Sequence, residues 1–428
     1  MADVKNILVL PAGTEIALEI NNALKYSKFV KLFGGTSRPC HAEFVYETCV
    51  EDIPYPDSAD FAAKVNEAVD KYRIDYIYPA HDSVLLKLTE IQQELHAAVV
   101  TSALETVEIT RSKNRTYAFL AGAYYLPKTY ACAEDVESFP VFIKPAVGQG
   151  AEGARRIDSR AQLDEALSDG VEYAICEYLP GGEFTVDCFT DRHGRLRIAS
   201  PRTRARIRAG ISVRSEKLSC TDAIEKIALD INSRFSFNGA WFFQLKENAQ
   251  GEYRLMEIAP RIAGTMCLTR NLGVNMPMLT LFNMWGMDVD IINNGNALLL
   301  DRAFISRFKT DIDYDSVYVD FDDTIVVNGR VNGFLMMFLY QARGKGKKLF
   351  LLTKHADDIG RSMEKYAVSP ALFDEIIHIP PDGSKAEYVG PRSVFIDDSF
   401  AERRLVSEKC GAAVFDLDMV ESLLDWRV

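Results

Sequence analysis

Towards the end of this 428-residue chain stand side chains of the types that transfer phosphoryl groups. Asp320 and Asp322 lie two apart in Asp320-Phe321-Asp322-Asp323-Thr324. Thr353 lies 33 residues beyond Asp320, Lys385 32 beyond that, and Asp397-Asp398 begins a further 12 on. Carboxylates crowded together repel one another unless a divalent cation sits among them. An all-oxygen ligand set suits Mg²⁺, which also screens phosphate charge. One aspartate of such a group can attack phosphorus and carry the phosphoryl group as an aspartyl phosphate. Another, two residues along a tight turn, can act as general acid and then base. A threonine hydroxyl and a lysine ammonium would hold the transferred oxygens.

A second set occupies the first 300 residues. The stretch from Lys144 to Gly153, KPAVGQGAEG, follows an apolar run. Its glycines let backbone amides approach phosphate oxygens, and the lysine adds a charge. No Lys-Ser or Lys-Thr follows as in a Walker loop, and it does not read GxGxxG opening a helix. Taken alone, the stretch also fits a hairpin tip. Lys113 precedes it, and Glu177-Tyr178-Leu179-Pro180, Glu183, Gln244 and Glu257 follow. Two lysines, a glycine loop, an acidic hinge and two oxygen ligands in that order make an ATP–magnesium layout. Arg202, Arg204, Arg206 and Arg208 alternate with other residues, so one continuous strand would turn all four guanidiniums to the same side. That predicts an anion site for a substrate carboxylate and the γ-phosphate, the alternative being a solvated strand face.

The elements that must position these groups follow from the pattern. Apolar strands are predicted over 5–10, 28–33 and 75–79, and helices over 15–25, 61–72 and 83–96. This alternation builds a parallel sheet covered on both faces. From about residue 140, glycine-rich turns and polar-apolar alternation indicate antiparallel sheet with packed helices, and a helical region follows over about 275–287. The pattern resets between 300 and 313 into a smaller α/β unit. There, Asp320 and Asp322 follow a strand over 316–319, Thr353 follows 349–352, Lys385 precedes the next strand, and Asp397-Asp398 end 393–396. In open α/β sheets chemistry gathers at the carboxyl ends of the strands.

Composition narrows the class. The length suits two or three domains, and a net charge of −12 disfavours nucleic acid and anionic membranes as partners. No 18-residue apolar run occurs, and the N-terminus lacks a signal-peptide layout. The eight cysteines form no CxxC pair and read as reduced thiols, which with the rest predicts a cytoplasmic enzyme. None of the six histidines has metal-ligand spacing. His81 is placed near a substrate cleft, Asp82 as the cap of the helix after it, and His355 within reach of a phosphate ester.

The C-terminal set resembles the haloacid-dehalogenase-like (HAD-like) phosphatase superfamily. DxDxT matches residues 320–324, the second motif Thr353, the third Lys385, and the acidic fourth Asp397-Asp398. The resemblance implies that Asp320 is the nucleophile and Asp322 the acid/base. It implies a magnesium site at Asp320, Asp322 (through its carbonyl), Asp397 and Asp398. The gaps between motifs leave no room for a large cap, so an open, capless site is expected over residues 312–428.

The N-terminal segments YPAHDSVLLKL, SKNRTYAFL, FIKPAVGQGAEG, EYLPGGEFTVD and EIAPRIAGT resemble the ATP-grasp superfamily, most closely half-modules of the carbamoyl-phosphate synthase large subunit. The resemblance implies a Rossmann-like subdomain over 1–105 and a two-lobed ATP-grasp domain over 106–305, with a lid at roughly 115–180. It implies that Lys113 and Lys144 contact ATP phosphates under a covering loop that includes Gly148, Gly150 and Gly153. Glu177 and the Leu179 backbone would bind adenine and Glu183 the ribose. Gln244 and Glu257 would hold Mg²⁺ (Mn²⁺ being an alternative), and Arg261 would steady the reacting group. The family usually reads E-x-N-P-R. Here Ala259 stands at the Asn position and offers no metal ligand, which leaves open whether one ion binds or two.

The expected chemistry is a bifunctional one. An ADP-forming carboxylate–amine ligase would work through an acyl phosphate, with ammonia or another amine as acceptor, and a fused phosphatase would act on a phosphorylated substrate or product such as a sugar acid or amino acid. Two other readings stay open: a phosphatase regulated by a catalytically weak nucleotide-binding module, and a ligase with the last unit as a docking module. A homo-oligomer is compatible with the sequence.

Overall fold

The computed structural model describes residues 4–148, 150, 152–208 and 210–427. Contacts divide the chain into two units, one ending at Phe304 and one beginning at Ile305.

The first unit opens with a parallel sheet. Its strands are β1 (Lys5–Leu10), β2 (Val30–Gly35), β3 (Thr48–Val50), β4 (Tyr76–Pro79) and β5 (Ala98–Val99), in the order β3-β2-β1-β4-β5. Helices α1 (Glu15–Leu24), α2 (Phe61–Tyr72) and α3 (Asp82–Glu90) connect them. Ile7 to Val9 are fully buried, as a strand covered on both faces requires. α3 is shorter than the predicted 83–96. His81, not Asp82, caps it: the ring Nδ1 accepts from the Ser83 amide at 3.3 Å.

Helices α4 (Leu104–Arg111) and α5 (Lys113–Phe119) lead into a small antiparallel sheet of β6 (Thr129–Tyr130), β7 (Val141–Pro145), β8 (Arg155–Ile157) and β9 (Tyr173–Glu177), ordered β6-β9-β7-β8 and backed by α6 (Arg160–Leu167). The chain then runs through β10 (Glu183–Thr190), β11 (Leu196–Thr203), the short β12 (Arg206–Arg208), β13 (Ile211–Glu216), α7 (Asp222–Arg234), β14 (Gly239–Glu247) and β15 (Tyr253–Ala259). After α8 (Cys267–Asn271) and α9 (Met276–Met284), β16 (Leu299–Asp301) returns to pair with β13. The larger antiparallel sheet is ordered β11-β10-β14-β15 and the smaller β12-β13-β16. Trp241, Phe243 and Leu255, all fully buried, fill the core between the larger sheet and α7.

The second unit has a five-stranded parallel sheet. β17 (Ser316–Val319) is central, followed by the hairpin β18 (Val326–Val327) and β19 (Arg330–Val331). The sheet continues with β20 (Lys348–Thr353), β21 (Glu375–His378), β22 (Ser393–Ile396) and β23 (Ala413–Phe415), ordered β21-β20-β17-β22-β23. Helices α10 (Gly333–Gly344), α11 (Ile359–Lys365) and α12 (Phe400–Cys410) complete it. The chain builds β20 and β21 on one side of β17, then crosses to build β22 and β23 on the other. The switch point therefore falls between β17 and β22, where ligands of open α/β sheets bind.

Among the described residues, no helix is long and apolar enough to cross a membrane.

Candidate active sites

In the first unit, Lys113 opens α5, and its amide is pinned to the Ala146 carbonyl just past β7 (2.9 Å). Lys144 lies on β7 with 6% of its surface exposed. Its ammonium donates to Tyr117 Oη (2.6 Å) and to the Met256 carbonyl (2.8 Å). Burial holds both lysines below their usual pKa, so each would gain from a phosphate partner. β14 and β15 pair Gln244 with Glu257, and the amide donates to the carboxylate at 2.7 Å. Registers extend this row across the sheet to Thr185 and Arg202, so Arg202, Thr185, Gln244 and Glu257 share one face.

Lys113, Lys144, Gly148, Gly150, Glu183, Gln244 and Glu257 line one cavity of about 170 Å³. A neighbouring space shares Lys113, Gly148, Gly150 and Glu257 and adds Asp82, Ala259 and Arg261. Gly148 and Gly150 line both spaces. A β-carbon on Gly210 would fall 2.1 Å from the Gly150 carbonyl, and φ at Gly210 is +74°, so the two backbones meet where only glycine fits. Two residues of the expected covering loop, Gln149 and Ala151, lie outside the described residues.

Several expected residues sit differently. Glu177 accepts from the Lys128 amide (2.9 Å), Leu179 is buried and Gly153 packs on Pro145, so these three are not lining residues of the cavity. Glu183 does line it, but its carboxylate faces Arg204 at 2.7 Å. The four arginines do not form one stripe, a correction to the period-two expectation. β11 stops at Thr203 and β12 begins at Arg206, so the alternation is broken between them. Arg202, 1% exposed, is gripped by the buried Asp187 through two contacts of 2.9 and 3.0 Å. Arg206 pairs with Asp301, and Arg208 lies over the Phe304 ring. Only Arg204 of the four reaches the cavity. Asp82 is not a cap. Both its oxygens take Arg261 at 2.6 Å, and Arg261 Nη1 donates to the Ile262 carbonyl.

This donor set fits one Mg²⁺. Glu257 is the carboxylate, Gln244 adds an amide oxygen, and Ala259 contributes no ligand atom at the end of β15. Mg²⁺ commonly takes one or two protein carboxylates and completes its shell with phosphates and water.

In the second unit the strand ends converge at the switch point. The Lys385 ammonium, 3% exposed, lies 2.9 Å from Asp320 and 2.6 Å from Asp397. Oxygens of Asp320, Asp397 and Asp398 fall within 4.8 Å of one another, the one such trio found among the described residues. Burial and the nearby Asp320 outweigh Lys385 and push Asp397 up to about 6. Burial likewise raises Asp320, against the pull of Lys385 and the Thr353 hydroxyl. Burial opposes the charge of Lys385, yet the two carboxylates keep its pKa raised. Asp320 Oδ1 is buried and faces the Lys385 ammonium at 2.9 Å. Three carboxylates this close, two of them buried and held above their usual pKa, form an all-oxygen ligand set that fits a divalent cation. Asp322 stands apart from the trio. Its side chain is half exposed and meets His355 Nδ1 at 2.8 and 2.9 Å.

The family described as ATP-grasp in the biosynthetic pathway with Ter operon matches residues 171–300, within the first unit. Among solved structures, the biotin carboxylase–βγ-ATP complex of Campylobacter jejuni is similar (TM-score 0.56, 15% identity, 67% of this chain and 72% of that one). About two thirds of the chain has the ATP-grasp fold. N5-carboxyaminoimidazole synthetase of Staphylococcus aureus (TM-score 0.56, 13% identity, 69% and 81% covered) and the L-amino acid ligase of Bacillus licheniformis (0.52, 16%, 66% and 74%) share it. No curated protein matches the sequence.

Sequence reasoning missed four supporting residues. Arg111 donates to the Gly148 carbonyl and to Ser83 Oγ, both at 3.3 Å, and so ties down Gly148. Tyr117 receives Lys144. Arg403 donates to the carbonyls of Asp397 (2.6 Å) and Asp398 (2.7 Å), fixing the turn that carries them. Ser362 meets His355 Nε2 at 2.7 Å. Each of the four acts through a partner outside its own helix, which the local pattern does not show.

Proposed function

We propose that the first unit is an ATP-dependent, ADP-forming carboxylate–amine ligase. Supporting this are the ATP-grasp fold and, above all, the convergence of Lys113, Lys144, the glycine stretch, Gln244 and Glu257 on one cavity. In this reading, residues 1–105 are the Rossmann-like subdomain and 106–305 the ATP-grasp domain. The two lysines neutralise ATP phosphates. Gln244 and Glu257 hold Mg²⁺, which supplies charge neutralisation as the γ-phosphate moves to a carboxylate. Attack by ammonia or another amine on the acyl phosphate forms the amide and releases phosphate. In this reading, water must be kept from the acyl phosphate until the amine attacks. Glu183 in this reading meets the ribose only after Arg204 yields, and Arg261 acts from a position fixed by Asp82. An ADP-release screen over acids and amines tests the assignment, with hydroxylamine as the trap for the acyl phosphate. ADP formation that no acid stimulates would count against a ligase.

For residues 312–428 we propose a capless HAD-like phosphomonoesterase acting on a phosphorylated substrate or product linked to the ligase. The Asp320–Lys385–Asp397 contacts at the switch point are the support. Asp320 attacks phosphorus, Asp322 protonates the leaving group, and Thr353 and Lys385 hold phosphoryl oxygens. Asp320, Asp397, Asp398 and the Asp322 carbonyl are the ligands proposed for Mg²⁺. Phosphate release from p-nitrophenyl phosphate that persists in Asp320→Asn would remove this assignment.

A second reading makes the first unit a nucleotide sensor for the phosphatase. Ala259, at a position where the family resemblance expects a metal ligand, favours it. Substrate-dependent ADP formation separates the two readings.

A further inference from the structure

The carboxylate of Asp322 is half exposed, and among the described residues His355 is its one side-chain partner. An exposed aspartate samples several rotamers, whereas a general acid must keep its proton aimed at the leaving oxygen. His355 is itself tightly held. Its ring is 11% exposed and stands edge-on to the buried Phe321 with centroids 5.3 Å apart. Its Nε2 meets Ser362 Oγ at 2.7 Å, and its backbone amide donates to Thr353 Oγ1 at 3.2 Å.

We infer that His355, oriented by Ser362 on α11, is a positioning residue that fixes Asp322 for proton transfer in the second unit. The inference rests on the phosphatase reading above and adds a part to it. The order hydroxyl–imidazole–carboxylate also occurs in hydrolases whose hydroxyl attacks, but there the carboxylate is the buried member that steadies the ring. Here the ring is the buried member and the carboxylate faces solvent, so control runs from Ser362 through His355 to Asp322.

The step it serves is ester hydrolysis through an aspartyl phosphate on Asp320. An Asp320 oxygen forms a bond to phosphorus as the ester P–O bond breaks, and the leaving alkoxide takes the Asp322 proton. Water then attacks phosphorus and gives a proton to Asp322, and the Asp320–phosphorus bond breaks to free phosphate. A p-nitrophenolate leaving group needs no proton in the first half, while an alkoxide does. Both esters need Asp322 as base in the second half.

The experiment compares p-nitrophenyl phosphate with glycerol 2-phosphate on the full chain with Mg²⁺. General acid–base groups contribute roughly 10²–10⁴-fold, so loss of aim should cost about 10–100-fold. His355→Ala is expected to release a burst near one equivalent of p-nitrophenolate before a slow steady rate, and to lose further activity on the alkyl ester. His355→Asn, whose amide can occupy the Nδ1 position, should restore turnover, and His355→Gln should not. Ser362→Ala should show the same pattern more weakly. Equal losses on both esters without a burst, or Asn and Gln behaving alike, would overturn the inference while Asp320-dependent hydrolysis by the unmodified chain leaves the phosphatase reading standing. Hydrolysis that survives Asp320→Asn would remove both.

Discussion

Asp82 and Arg261 grip each other through two 2.6 Å contacts across 179 residues of sequence. The pair ties the start of α3, in the parallel sheet, to the loop that follows β15. Burial alone would raise the Asp82 pKa, but Arg261 overrides it and lowers the carboxyl to about 2. The stability this pair contributes is therefore complete above the unfolded value near 3.8 and lost as pH falls through about 2. Asp82→Ala leaves a buried guanidinium without its counter-charge, which costs about 3–5 kcal/mol in comparable sites. Urea unfolding of the variant should show that loss in the transition of the first unit. A change under about 1 kcal/mol would mean that Arg261 finds water or another acid.

Gly210 is the second pressure point. A methyl group there meets the Gly150 backbone, and φ of +74° strains any other residue. Gly210→Ala should weaken nucleotide binding about tenfold by propping the glycine stretch open, with little change in the melting of the second unit. Titration calorimetry with a non-hydrolysable ATP analogue reads the effect.

Lys113 and Lys144 carry pKa values lowered by burial. Nucleotide phosphates favour the charged forms, so binding should take up protons and weaken as pH rises. Calorimetry in buffers of different ionisation enthalpy measures the uptake. Lys144→Met should abolish its share.

The second unit should respond to pH and metal in opposite senses. Asp397 is raised from 3.8 to about 6, so between those values the folded state holds more protons than the unfolded state. Without divalent ions the unit should lose stability, on the order of 3 kcal/mol, as pH rises through that window. Mg²⁺ should reverse the loss, with affinity that climbs to about pH 6 and then levels off. Melting curves with Mg²⁺ or EDTA test both signs.

Much of the second site was legible because its residues sit at the ends of short apolar runs. The strands expected over 316–319 and 393–396 coincide with β17 and β22. The arginine stripe was misread because period two applies only within an unbroken strand. Arg202 takes its partner, Asp187, from the neighbouring strand, which no local pattern reveals. Asp82 reads locally as a helix cap, since aspartate is a common one. A tertiary partner far away in sequence took it, and His81 filled the cap. The glycine stretch was readable as flexible backbone, but that it meets Gly210 depends on the β12–β13 turn.

The most direct test of two independent sites measures ADP and p-nitrophenolate formation in the same preparations. The unmodified chain, Glu257→Gln and Asp320→Asn would be assayed with Mg²⁺ and an activating acid–amine pair. Glu257→Gln should lose ADP formation and keep ester hydrolysis, and Asp320→Asn should do the reverse. Loss of both activities in either variant, or of neither, would contradict the account.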